Sequence, residues 1–342
     1  MKRIVILTNS LSGGGAEASA QILQRELMSS GQEVVLIGIN SDNPFAVTKT
    51  SNIFSLERDK SRPIRSTVSN LISFRRFLVT QGIDTLIVSC ELPELFAIVA
   101  PRSIQLVIVE HANPSWRKRE SLGWIVRKIL ERRKLLLVTV GQHLRPRFFQ
   151  GLSYTHIPNP LYSVSTKDLM PNASKIKRLV YVGRFTPLFK NPLLVLLIAE
   201  KVNLPVLMIG DGVLMNKLKS YAMNHQIDCG FTGFKVNPWD LFESGDLMII
   251  PSTAEGDGLT LIEAIQRNIP FLASNIPDLN RYGISSSNYC SGLQSFVDSI
   301  NEFRYRLNQL TVPSDLSRKI LEDRRPDKVA DRWIRLLSSS TN

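Results

Sequence analysis

Residues 3–39 read RIVILTNSLSGGGAEASAQILQRELMSSGQEVVLIGI. An apolar run at 3–8 meets a glycine-rich turn. A helical pattern over 17–29 follows, with Ile22, Leu23 and Leu27 on one side, and a second apolar run at 33–39 closes the unit. Near-continuous Val/Ile/Leu runs separated by helices mark parallel strands covered on both faces. The rhythm continues outward, with further runs at 84–90, 105–109 and 135–140. It breaks at 157–177, IPNPLYSVSTKDLMPNASKIK, where three prolines and many Ser and Asn indicate a linker. It then restarts, with strands at 179–182, 205–209, 247–251 and 270–273 and helices beginning near Asn191, Val213, Gly258 and Ser295. The expected fold class is α/β, with two doubly wound, Rossmann-like domains in tandem.

Composition agrees with two packed cores. The chain has 342 residues, 43% hydrophobic and 21% charged, which suits two domains of ordinary size and excludes wholesale disorder. No stretch approaches the roughly 18 consecutive apolar residues of a spanning helix. The apolar run behind Lys2 and Arg3 is too short for a signal peptide, so a cytoplasmic location is expected. Cys90, Cys229 and Cys290 lack the spacing of a disulfide framework or a zinc site, and Cys90 reads as a buried thiol ending a strand. With 42 Lys+Arg against 30 Asp+Glu the net charge is +12, which favours anionic partners. Residues 1–165 hold 21 of the basic and 12 of the acidic residues, so most of the excess is N-terminal. No Arg/Gly interleaving or other nucleic-acid motif accompanies that charge, and no nucleic-acid partner is expected.

In doubly wound sheets, ligands bind at the carboxyl ends of the strands. Four strand-end loops carry candidate chemistry. After the first strand come Gly13, Gly14, Gly15 and Ala16-Glu17, at a helix start that offers N–H groups to an anion. Gly13, Gly15 and Ala18 satisfy GxGxxA, the dinucleotide fingerprint. However, three residues intervene between Asn9 and the first glycine, and Asn40 and Ser41 stand where an acid is required. After strand 179–182, Gly183-Arg184…Lys190-Asn191 supplies a guanidinium fork and a point charge beside a helix N-terminus, a diphosphate grip. Ile209-Gly210-Asp211-Gly212 is a tight strand-to-helix turn. Finally, Glu255-Gly256-Asp257-Gly258-Leu259 leads to Glu263 inside an apolar helix. A loop carboxylate there accepts hydrogen bonds from sugar hydroxyls, amides at the helix start hold phosphate, and Glu263 holds a ribose diol. Asp257 reads equally well as a helix N-cap.

The ordered set Gly-Gly-Ala-Glu at 14–17, Gly-Arg…Lys-Asn at 183–191, Ile-Gly-Asp-Gly at 209–212 and Glu-x7-Glu at 255–263 resembles the retaining glycosyltransferases of family 4. Phe231-Thr232-Gly233-Phe234, Pro251-Ser252 and Asn159 match the same pattern. The resemblance implies the GT-B fold: two Rossmann-like domains facing a central cleft, with a C-terminal helix crossing back to the first. It implies an acceptor-binding domain at 1–160, a linker at 161–178, a nucleotide-sugar-binding domain at 179–318 and the returning helix at 319–342. By the same resemblance, Gly14 and Gly15 face the donor phosphates, Arg184 and Lys190 bind the diphosphate, and Glu255 contacts the donor sugar. Gly256, Asp257, Gly258 and Leu259 belong to the donor site, Glu263 binds the ribose, and His111 acts near the transferred sugar. The implied reaction moves a hexose from a nucleotide sugar, with UDP as the expected nucleotide, onto a glycan or lipid-linked acceptor in O-antigen, capsule or lipopolysaccharide assembly. Arg184, Lys190 and the helix terminus make a metal unnecessary, and Asp257 departs from the family, which often has an apolar residue there. A nucleotide-sugar epimerase of the same fold is the main alternative; an NAD-dependent dehydrogenase, resting on the GxGxxA match, and a non-catalytic membrane-surface protein are others.

Residues 115–137 hold eight Lys+Arg against two acids. Between Lys118 and Lys134, Leu122, Ile125, Val126, Ile129 and Leu130 form a helical stripe, with Arg119, Arg127, Lys128, Arg132 and Lys134 expected mostly off it, as is Trp124. A second basic segment contains Arg62, Arg65, Arg75 and Arg76. Basic amphipathic helices of this kind predict peripheral contact with an anionic membrane surface, at the inner face of the cytoplasmic membrane.

Overall fold

The computed structural model describes residues 1–11, 14–40, 52–59, 61–111, 115–117, 119–149, 151–165 and 173–339. Gly13, Ser41, Lys118 and part of the expected linker (166–172) lie outside them. The chain divides into two compact units. Unit 1 comprises Met1–Tyr162 and Asp323–Asn342, and unit 2 comprises Ser163–Glu322.

In unit 1 the elements run β1 (Arg3–Thr8), α1 (Gly15–Ser29), β2 (Glu33–Asn40), β3 (Ile53–Arg58), α2 (Pro63–Thr80), β4 (Thr85–Ser89), α3 (Glu91–Ala97), β5 (Gln105–Glu110), α4 (Glu120–Leu130), β6 (Leu135–Thr139) and β7 (Tyr154–His156). The sheet is parallel, in the order β3-β2-β1-β4-β5-β6-β7. Alternate residues of each strand face opposite layers. Val5, Leu7, Leu86, Val88, Leu106 and Ile108 pack with Phe74 and Leu78 of α2, Phe96 of α3, and Val126 and Leu130 of α4. Ile4, Ile6, Val34, Leu36, Ile87 and Val107 pack with Leu23 and Leu27 of α1 on the other face.

Unit 2 continues with β8 (Arg178–Val182), α5 (Leu193–Val202), β9 (Val206–Ile209), α6 (Met215–Asn224), β10 (Cys229–Gly233), β11 (Asp246–Ile250), α7 (Leu259–Gln266), β12 (Phe271–Ser274), α8 (Pro277–Asn280), β13 (Tyr289–Cys290), α9 (Leu293–Phe303) and α10 (Ser314–Glu322). Its sheet is also parallel, in the order β10-β9-β8-β11-β12-β13. The last helix, α11 (Pro326–Ser339), belongs to unit 1. It buries Val329, Trp333 and Leu337 beside α1, against the same sheet face. The four residues 157–160 of the expected linker are buried, and Ile157 is part of this core.

Two expectations change. Helix α4 turns Gly123, Val126, Arg127 and Leu130 inward, so Arg127 is fully buried rather than on a basic outer face. Ile125 and Ile129, expected in the inward stripe, are exposed with Trp124. Arg127 enters the core because two buried acids meet it. It donates to both oxygens of Glu94 (2.9 and 2.6 Å), and Oε2 of Glu110 lies 2.9 Å away. Cys90 is half-buried at a positive φ of 78°, preceding α3, so it is not a core thiol at a strand end. No helix among the described residues is long and apolar enough to cross a membrane.

Candidate active site

Strands β8 and β11 are neighbours, and the chain order of the second sheet reverses between them. That reversal opens a crevice at their carboxyl ends. The loops leaving those ends are 183–192 and 251–258, which carry Arg184, Lys190 and Glu255.

The first loop is held from beneath. Gly183 N donates to Ile209 O (3.0 Å) and Phe185 N to Asp211 O (2.8 Å), fastening it to the turn after β9. A Cβ on Gly210 would lie 1.9 Å from Gly183 O, so this turn accepts only glycine there. Phe185 is fully buried, with its ring 5.8 Å from Tyr181 and 6.3 Å edge-on from Phe231. With Phe185 anchored inward, Arg184 is exposed, and its guanidinium makes no hydrogen bond or ion pair with the described residues. Phe189 and Asn191 adopt left-handed backbone (φ 67° and 44°) on either side of Lys190. Such conformations cost on the order of 1 kcal/mol or more each and cluster at functional sites.

The two loops meet. Thr253 N donates to Phe189 O (2.7 Å). Lys190 Nζ lies 2.7 Å from Glu255 Oε1, which also accepts from Ser252 Oγ at 2.6 Å. Glu255 N donates to Asp278 Oδ2 (2.6 Å), fixing the loop to α8. Asp257 does not cap the helix, contrary to one expectation. Gly258 occupies the N-cap position in left-handed conformation (φ 68°), with no side-chain cap. Asp257 is buried, and Arg281 donates to both its Oδ1 and its backbone carbonyl at 3.0 Å. The Tyr282 hydroxyl donates to the same carbonyl at 2.9 Å. Arg281 and Tyr282 therefore clamp residues 256–258 from behind. Neither they nor Asp278 had any signal in the sequence, since their role depends on a fold contact about 23 residues from the loop.

Glu263 sits in the second turn of α7; its backbone carbonyl accepts from Arg267 Nη1 (3.2 Å), while its carboxylate accepts no hydrogen bond from the described residues. Burial pushes its carboxyl up to about 7, against the pull of Arg267 and Lys190. Lys190 thus stands in the field of both acids, with Glu255 in direct contact. One exposed fork, one ammonium, a helix start with unbonded amides and two carboxylates converge on a single sheet end. The cations and amides suit a diphosphate, and the carboxylates suit hydroxyls.

The remaining expected residues belong to unit 1. Gly14 is the N-cap of α1 and Gly15 its first residue. Asn40, where a dinucleotide site needs an acid, donates through both its backbone N–H and its side-chain amide to Asn9 O (2.9 Å each). His111 Nε2 lies 3.3 Å from Ser89 Oγ. Both line a small pocket with Ala16, Ile6, Asn159 and Trp333, so the first turn of α1 and His111 share one cavity. Behind His111, burial raises the Glu110 carboxyl while Arg127 opposes the shift.

Residues 170–303 match the family model Glycosyl transferases group 1. No curated protein matches the chain in sequence. Solved structures match it over its whole length. HepE from Anabaena, in complex with UDP and glucose, is 14% identical with a TM-score of 0.80, covering 99% of this chain and 100% of that one. Sucrose-phosphate synthase from Thermosynechococcus elongatus is 14% identical with a TM-score of 0.77, covering 99% of each. The lipopolysaccharide outer core galactosyltransferase WaaB, apo form, is 15% identical with a TM-score of 0.68, covering 98% and 99%. The chain has the α/β fold of GT-B glycosyltransferases, with two parallel sheets.

Proposed function

We propose that this chain is a retaining glycosyltransferase of family 4 that moves a hexose from a UDP-sugar to an acceptor hydroxyl. The observation that carries the reading is the Lys190–Glu255 pair beside the exposed Arg184, at the reversal point of a sheet whose residues match the family model. Arg184 and Lys190 bind the diphosphate and balance the charge that grows on it as the bond to the sugar breaks. Glu255 contacts the sugar and Glu263 the ribose diol, while the amides of Gly256, Asp257, Gly258 and Leu259 face phosphate and sugar. By the family resemblance, Gly14, Gly15 and His111 also take part in transfer. The acceptor oxygen bonds to the anomeric carbon on the face the diphosphate leaves, and its proton passes to the leaving phosphate. The protein contributes position and charge, not a covalent nucleophile. No metal is required, because the two cations and the helix start take that role. The similarity to HepE with bound UDP and glucose supports the donor, and that to WaaB supports an acceptor in O-antigen, capsule or lipopolysaccharide assembly. The acceptor is then a glycan or lipid-linked glycan, met at the inner face of the cytoplasmic membrane through the basic N-terminal half.

The test is thermal denaturation with UDP, GDP, ADP, CMP and NAD, on wild type and Arg184→Ala. A nucleotide at about 100 times its dissociation constant adds about 2.7 kcal/mol, a shift of roughly 5–10 °C for a unit of this size. UDP is expected to give that shift, with or without EDTA, and Arg184→Ala to lose most of it. A shift with NAD alone would favour the dehydrogenase.

A further inference from the structure

We infer that the carboxyl-terminal end of α3 carries a second anion site, built from Arg75, Arg102 and Arg133, that takes the phosphates of membrane lipids. The inference rests on the membrane-surface part of the proposed function and gives it an address. Three arginines from three segments meet there. Arg133, just after α4, donates to Ala97 O (2.9 Å) and to Pro101 O. Arg75, on α2, donates to Val99 O at 2.6 Å. Arg102 stands in the same turn, exposed, and makes no hydrogen bond with the described residues. The three feel one another: burial and the charges of Arg102 and Arg75 all push the Arg133 guanidinium down from its ordinary value. Arg133 Nε is buried and meets no acceptor. None of the three forms an ion pair with the described residues.

Part of this arrangement is local. Carbonyls at a helix end carry a partial negative charge of about one half, and arginines commonly meet it. Three full positive charges exceed that by far, so the cluster remains strongly cationic. It lies just before β5 and β6, at the amino ends of those strands, whereas His111 lies at their carboxyl end. The donor and acceptor chemistry therefore does not account for it.

The surroundings select the source of the phosphate. One turn along α2 from Arg75, Val79 is 57% exposed, and one turn before Arg133, Ile129 on α4 is 42% exposed. Ile72 and Ile125 continue these exposed apolar rows on the same two helices, with Trp124 beside Ile125. Both helices cover the same face of the sheet. Aliphatic side chains interleaved with unpaired arginines suit the headgroup layer of an anionic bilayer, where chain methylenes and phosphates lie within a few ångströms of each other. A dissolved phosphate has no use for the apolar rows.

Vesicle co-sedimentation of the full chain tests this. Vesicles of phosphatidylglycerol and phosphatidylcholine are compared with phosphatidylcholine alone, for wild type, Arg102→Glu and Arg102→Lys. Arg102 bonds to nothing described, so neither change should disturb the fold, and unchanged melting temperatures verify it. At about 1 kcal/mol per basic residue near an anionic surface, reversing one charge weakens binding about thirtyfold, while Arg102→Lys stays within a few-fold of wild type. Absence of wild-type binding to the anionic vesicles, or equal binding by Arg102→Glu, overturns the site. Stabilisation by inorganic phosphate without vesicle binding overturns the lipid assignment. The UDP shift is read on the same samples: its loss would strike the donor site alone, and its retention with failed vesicle binding would strike this site alone.

Discussion

At the residue scale, the cations and acids of the proposed donor site are arranged as a latent pair. Lys190 is neutralised by Glu255 in the structure, and Ser252 holds that carboxylate in place. On the proposed function, a diphosphate arriving at Lys190 would compete with Glu255 and free an oxygen to accept a sugar hydroxyl. Each partner would then have one role before donor binding and another after it. Glu255→Ala and Lys190→Ala are both expected to lower transfer by at least a hundredfold, the scale of one preorganised charge contact. Circular dichroism spectra should stay those of the folded protein, while melting temperatures fall, because each substitution leaves one partner of a largely buried pair without its counter-charge. Normal turnover in either variant would remove the residue from the site. Glu263 adds a pH dependence. Folded, it keeps its proton up to about 7; unfolded, it releases it near the ordinary glutamate value of 4.5. Between those values the folded state binds more protons, so this group's contribution to stability falls as pH rises from 4.5 to 7. Urea midpoints across that range should decline less steeply in Glu263→Gln. Glu110, also raised by burial, continues to contribute a slope of the same sign.

At the scale of elements, the turn after β9 supports the Arg184 loop from beneath. Gly210 N donates to Gly233 O (3.0 Å), and its α-carbon faces Gly183 O too closely for any side chain. Gly210→Ala must push the two loops apart or break the Gly183–Ile209 bond. The expected cost is about 2 kcal/mol of stability, of the order found for overpacking a tight contact. UDP affinity should fall with it, as isothermal titration would register. The same elements show how much the sequence disclosed. The central strands β1, β2, β4, β5 and β6 and their counterparts β8, β9, β11 and β12 coincide with the apolar runs to within a residue or two. The strands that went unread, β3, β7, β10 and β13, are the four sheet edges. An edge strand has a partner on one side only and is less covered; β7 has two exposed residues of three, and β3 has no fully buried residue. Their composition carries no near-continuous apolar run, so a reading based on such runs passes over them. Helix α4 failed for a related reason. A stripe counted from apolar residues cannot anticipate that Arg127 takes an inward position, because the acids that receive it lie 33 and 17 residues away. In the site, the motif residues of the loops were legible, whereas the clamp of Asp278, Arg281 and Tyr282 was not.

At the scale of the whole molecule, two sheets with separate cores share one chain, and the chain ends by returning to the first unit. Trp333 is the largest side chain that α11 places in the unit 1 core, where it joins Val329 and Leu337 against Ile4, Ile6 and Leu27. It also lines the pocket that holds His111 and Ser89. Stability of the first unit therefore depends on residues synthesised after the second. Trp333→Ala removes this anchor, at a cost of about 3–5 kcal/mol for a buried aromatic side chain. In a unit of about this size that lowers the melting temperature by roughly 10 °C. Differential scanning calorimetry with UDP separates the consequences. If the units unfold independently, the variant shows an early transition that ignores UDP and a later one that rises with it. On the proposed function UDP binds to unit 2, where Arg184, Lys190 and Glu263 lie, so the UDP-sensitive transition is expected to keep its wild-type position. A single transition displaced as a whole would mean that the units melt as one cooperative body, with the returning helix stabilising both. In that case, changes in the unit 1 core would register at the nucleotide site through stability alone, and their effect on turnover would disappear at temperatures well below melting.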